Sequence, residues 1–137
     1  MSDWPARFLD AFEGNGTFPN ICAEEPNLTL DEAYTIQRAF AAKLPGSVIG
    51  YKAALTAAPA QKAMGISAPV SGALFDWGSH QPGAVITSQR TLLLETELGY
   101  RLATDVGQHV TPATVLDHIE TCHPMIEVAS PNLASAP

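Results

Sequence analysis

The chain has 137 residues, 46% hydrophobic and 15% charged, with a formal net charge of −7, which fits one globular domain with a real core. Seven Lys+Arg against fourteen Asp+Glu argue against nucleic acid as a partner. Two distant cysteines, Cys22 and Cys122, form no disulfide framework. The start MSDWPARFLDAF has no basic stretch leading into an apolar run, and no apolar run is long enough for a membrane span, so the expectation is a cytoplasmic protein.

Residues 3–12 read as a short helix: Asp3 caps it, Pro5 suits the first turn, and Trp4, Phe8 and Phe12 recur every four residues. Gly14-Asn15-Gly16 ends it, and residues 17–28 read as irregular. Thr29 and Glu32 then form a T-x-x-E capping box. Ala33, Ile36, Phe40 and Leu44 line one face of the helix that follows, which Pro45-Gly46 stops.

SVIGYKAAL (47–55) reads as a strand, with Ile49, Tyr51, Ala53 and Leu55 on one face and Val48, Gly50, Lys52 and Ala54 on the other. Thr56 is a cap for a short helix over 57–64, closed by Gly65. Residues 66–83 read as a long loop with short extended pieces, and Val85-Ile86 as the start of another strand. A long strand follows from about 91 to 104, whose even positions Leu92, Leu94, Leu98, Tyr100 and Leu102 are built for a core. Thr111-Pro112 starts a helix with Val115, Leu116 and Ile119 on its apolar side, and MIEV (125–128) is a short strand. Helices first and strands after, with a helix between, give an α+β domain.

The opposite face of the 91–104 strand carries Glu95 and Glu97. Their period of two puts both carboxylates on one side, roughly 7 Å apart at the backbone. A solvated strand face explains them; so does a shared proton or a cation between them. Glu127 lies in the apolar run MIEV, where a carboxylate needs a partner. Three carboxylates meeting on a sheet make an oxygen-only site suited to a hard cation. Lys52 is either a strand-edge lysine or a donor to an anionic ligand. Asp76 makes either a local turn bond or part of a site. His118 and Cys122 share a face of the expected helix, but no second pair of ligands joins them, which argues against a structural zinc. No GxSxG, P-loop or GxGxxG is present.

The segments LTLDEAYTIQRAF, IGYKAALT (49–56), MGISAPVSGALFDW (64–77), ETELGYRLATDV (95–106) and HPMIEVASPNL (123–133) together resemble the 2-keto-4-pentenoate hydratase / 4-oxalocrotonate decarboxylase family of the fumarylacetoacetate hydrolase-like superfamily. The resemblance implies a helical part over 1–46 and a partial mixed β-roll over 47–137. It implies that Glu95, Glu97 and Glu127 bind Mg²⁺ or Mn²⁺, that Lys52 lies near the substrate, and that Asp76 lies near the site as a candidate proton relay. The implied substrate is a small 2-oxo acid. Chelation through its keto and carboxylate oxygens would let the metal stabilise an enolate, an oxyanion interaction typically worth about 3–4 kcal/mol. Hydration of a 2-oxo-4-enoic acid in aromatic catabolism is the first reading. The alternatives are a 4-oxalocrotonate-type decarboxylase or a truncated, non-catalytic remnant or assembly partner. Family chains are nearly twice as long, and this one ends ten residues after Glu127. The expectation is therefore exposed strand edges, and a homo-oligomer or a partner that completes the fold.

Overall fold

Asp3 begins the first helix as read from the sequence: its Oδ1 accepts from the Ala6 amide at 3.2 Å, and Pro5 occupies the first turn of α1, Trp4–Glu13. The coordinates are a computed structural model and describe residues 2–14, 16–88 and 91–130. The remaining elements are α2 (Ile21–Glu24), α3 (Leu30–Ala41), β1 (Val48–Ala54), α4 (Ala58–Ala63), β2 (Val70–Phe75), β3 (Leu93–Leu102) and β4 (Ile119–Ala129), with 3-10 turns at Asp76–Gly78 and Val115–His118. This is an α+β chain. It divides into two compact units, one carrying α1–α4, β1 and β2, the other carrying β3 and β4.

The first unit is held by aromatic side chains. Phe8 of α1 meets Trp4, Phe18 and Phe40 with ring centroids 5.8, 6.1 and 5.9 Å apart. Phe12 meets Phe40 at 6.4 Å and Trp77 at 5.7 Å, and Trp77 stacks on Phe75 at 5.7 Å. The period-four spacing of Trp4, Phe8 and Phe12 is thus the device that joins α1 to α3 and to the end of β2, each ring pair adding about 0.5–1.5 kcal/mol beyond its buried area. Trp4 is the buried anchor at 4% exposure. The Arg7 guanidinium lies 4.0 Å from its ring centroid.

Arg7 also explains α2, a four-residue helix within the stretch read as irregular. Its two terminal nitrogens donate to Glu24 at 2.8 and 2.6 Å, which fastens α2 to α1. The hydrogen bond from Arg7, with its charge, holds the Glu24 carboxyl below its usual range and raises Arg7 in return.

The α3 capping box is present in full. The Glu32 amide donates to Thr29 Oγ1 at 3.3 Å, and Glu32 Oε2 accepts from the Thr29 amide at 2.9 Å and the Thr29 hydroxyl at 2.6 Å. The helix ends at Ala41, and tighter turns carry the chain through Lys43 and Leu44.

β1 and β2 form an antiparallel pair in which Lys52 faces Gly72 and Ala53 faces Ser71. β2 occupies sequence read as loop; its strand state comes from that pairing and from α3. Ser71 donates its amide to the Tyr34 hydroxyl at 3.0 Å, and its carbonyl accepts from Gln37 Nε2 at 3.0 Å. Two side chains thereby occupy the edge of β2 where a further strand would otherwise pair.

Several expectations are corrected. Thr56 does not cap α4: the N-cap is Ala57, without a side-chain bond, and Pro59 in the first turn fixes the start instead. Gly65 does close α4, at φ +69°. Val85 and Ile86 begin no strand. The helix expected after Thr111-Pro112 shrinks to the Val115–His118 turn, because the chain from Ile119 is drawn into pairing with β3. Cys122 therefore lies on a strand, and the helical His118/Cys122 face does not exist. β4 is longer than MIEV and passes through Pro124, which is tolerated because both strands of a two-stranded sheet are edges. Both sheets are antiparallel pairs, so the mixed β-roll does not appear among the described residues.

Candidate metal centre

The second unit is built on one ladder. β3 and β4 pair antiparallel from Leu93↔Ala129 to Arg101↔Thr121, with an irregularity before Leu102↔Ile119. Cross-strand partners share a face, and every second residue returns to it. One face therefore carries Leu93, Glu95, Glu97, Gly99 and Arg101 opposite Ala129, Glu127, Met125, His123 and Thr121.

That register brings the three carboxylates together. Glu95 stands directly opposite Glu127, and Glu97 follows on the same side of β3. Each offers a carboxylate oxygen, and the three oxygens lie within 4.8 Å of one another. Glu127 is half-buried, and Glu95 and Glu97 are exposed. Like charges directly opposite on a sheet destabilise it. A divalent cation reverses that sign, and an all-carboxylate donor set with room for water suits a hard cation rather than zinc or copper. The donor chemistry fits.

The other face of the ribbon differs from the sequence expectation. The apolar residues read on it are exposed, Leu94 72%, Leu98 63% and Tyr100 55%, as is Ile126 of β4 at 69%. Alternation correctly sorted the two faces. Among the described residues β3 and β4 form a two-stranded sheet, and a two-stranded ribbon is marginal on its own.

Lys52 and Asp76 belong to the first unit. Lys52 is half-buried on β1, on the face it shares with Gly50 and Ala54, while Tyr51 on the other face is 75% exposed. The lysine thus sits on the more covered side, unlike a solvated edge lysine. Asp76 makes one local turn bond, its Oδ1 accepting from the Trp77 amide at 2.8 Å; the same oxygen accepts from the distant Ser47 amide at 3.2 Å, while the Asp76 amide donates to the Ser47 carbonyl at 3.0 Å. Gly46, at φ +84°, makes room for that carboxylate, since a Cβ there would overlap Asp76 Oδ1.

Two residues beside the triad escaped the sequence reading. A Cβ placed on Gly99 would overlap the Met125 sulfur and lie 2.9 Å from its Cγ, so the thioether leans across the glycine. The available signal was a glycine inside an apolar strand, which marks a close approach.

No family model matches the sequence, and no curated protein does. Among solved structures, 4-oxalocrotonate decarboxylase from Pseudomonas putida G7, complexed with calcium and acetate, superposes with a TM-score of 0.86 at 20% identity, covering 95% of this chain and 52% of that one. The chain has the fold of 4-oxalocrotonate decarboxylase over about half of that enzyme's length.

Proposed function

We propose that Glu95, Glu97 and Glu127 hold one divalent cation, Mg²⁺ or Mn²⁺, and that the site serves a lyase acting on a small 2-oxo-4-enoic acid. The observation that carries this reading is the convergence of three carboxylates from two paired strands. The fold likeness to a decarboxylase solved with calcium supports it. When bound, the cation supplies Lewis-acid stabilisation of enolate charge.

The chain's own residues have definite tasks in this reading. Glu95 and Glu127, fixed opposite each other by the ladder, set the position of two donor oxygens, and Glu97 adds the third from the next step of β3. Glu95, Glu97 and Glu127 would hold the cation, which would supply Lewis-acid stabilisation to a bound 2-oxo carboxylate. Lys52, the charged residue of β1, is proposed to meet the anionic oxygens of the substrate. Asp76 is proposed as a proton relay. Its Oδ1 accepts two backbone bonds, which fix the orientation of the carboxyl group.

Hydration and decarboxylation pass through the same dienolate. Water addition gives a 4-hydroxy-2-oxo acid; loss of carbon dioxide from a vinylogous 2-oxo acid gives the shorter enol. The sequence resemblance puts hydration first, and the fold likeness favours decarboxylation. Incubation with a 2-oxo-4-enoate and with its dicarboxylic analogue, followed by NMR of the products, tests both. Mn²⁺-dependent turnover of either, lost in E97Q, supports the lyase reading. Turnover of neither, by a chain that binds Mn²⁺, removes it in favour of a non-catalytic metal-binding chain or an assembly partner.

A further inference from the structure

We infer that Gly99 is a notch that parks the Met125 thioether and so keeps the cation position at Glu95, Glu97 and Glu127 open; Gly99 and Met125 are positioning residues. This inference rests on the metal reading given above. Met125 stands directly opposite Glu97 and two residues from Glu127 on the same strand, so its side chain rises from the face that carries the carboxylates. A methionine there has two ways to lie along the ribbon: toward the row of Glu95 and Glu127, or away from it toward the row of Gly99 and His123. Diagonal neighbours on a sheet, roughly 7–8 Å apart, are within reach of a long side chain.

The structure has the second arrangement. Met125 Sδ and Cγ occupy the space in which any other residue at 99 would carry its Cβ. Glycine costs a strand interior stability and is retained where another group approaches closely. The approaching group here is the far end of a flexible thioether, which changes rotamer at little cost. A methyl group at 99 therefore leaves the ladder intact and displaces the sulfur toward the carboxylate row. An apolar thioether among three hard oxygen donors excludes the water and the cation that the row would hold.

The test uses Mn²⁺ as probe. The EPR signal of free Mn²⁺ gives the affinity, and the ¹³C-methyl NMR signal of Met125, identified by its loss in M125A, gives the position of the thioether. Wild type and M125A should bind alike. G99A should shift the Met125 methyl signal and weaken Mn²⁺ binding about tenfold, the size expected for a residue that orients a metal site without touching the ion. G99A/M125A should restore binding to near the wild-type value. M125I, whose β-branched side chain is too stiff to lie in the notch, should weaken binding as G99A does, and serves if G99A fails to fold. G99A or M125I binding as wild type does, or a double variant as weak as G99A, overturns the notch alone. A wild-type chain that binds no Mn²⁺ overturns the metal reading and the notch together.

Discussion

Glu95 of β3 and Glu127 of β4 face each other across the ladder, carboxylate against carboxylate, with Glu97 one step along. Two like charges in direct opposition weaken a strand pair by about 0.2–1 kcal/mol. The same opposition becomes favourable when a cation lies between them.

Removing one carboxylate should therefore weaken the response to the cation. Millimolar Mn²⁺ is expected to raise the melting temperature of wild type, and E127Q should gain less, because ligand binding stabilises only the chain that retains the site. Differential scanning fluorimetry in EDTA and in Mn²⁺ checks this. Equal gains in both chains count against a shared cation.

Asp76 separates a structural from a chemical role. D76A removes the acceptor of the Ser47 and Trp77 amides and should cost about 1–2 kcal/mol in urea unfolding. D76N keeps an oxygen acceptor and should fold nearly as wild type does. If Asp76 relays a proton, D76N loses turnover while keeping stability; full turnover in D76N leaves the carboxylate a turn residue only.

The start of α3 should be sensitive to acid. The Thr29 hydroxyl, and then its amide, hold the Glu32 carboxyl below its ordinary value of 4.5. A depressed carboxyl adds stability above the unfolded-state value and loses it as pH falls through the lower folded value. The stability gap between wild type and E32A should be full at pH 6 and shrink from about pH 4 downward. T29A should cost about 1 kcal/mol at pH 6. Thermal melts followed by circular dichroism at the two pH values measure both effects. A gap that widens in acid contradicts the sign.

The exposed apolar face of β3 and β4 is expected to drive self-association or capture of a completing partner. Leu98 and Ile126 lie on the side of the ribbon opposite the carboxylates. L98K/I126K should lower the apparent mass in light scattering while leaving Mn²⁺ affinity within about twofold. A wild-type chain that stays monomeric at high concentration removes this expectation.

What the sequence made legible was local. The Thr29–Glu32 box, the Trp4–Phe8–Phe12 spacing and the two faces of β3 each depend on residues within a few positions of one another, and each is present. β2 was not legible, because Val70–Phe75 is a strand only through β1 and the α3 side chains that bond Ser71. β4 was half legible: MIEV has strand composition, but Glu120–Pro124 is held extended by its register with β3. The same register decides the triad. Periodicity joined Glu95 to Glu97, whereas bringing Glu127 opposite Glu95 required a pairing that no local pattern encodes.

The central claim, that one divalent cation binds between Glu95, Glu97 and Glu127, is tested most directly by isothermal titration of the metal-free chain with Mn²⁺. The metal reading predicts one site per chain, competed by Mg²⁺ and lost in E97Q. Equal binding by wild type and E97Q, or none by wild type, would contradict it.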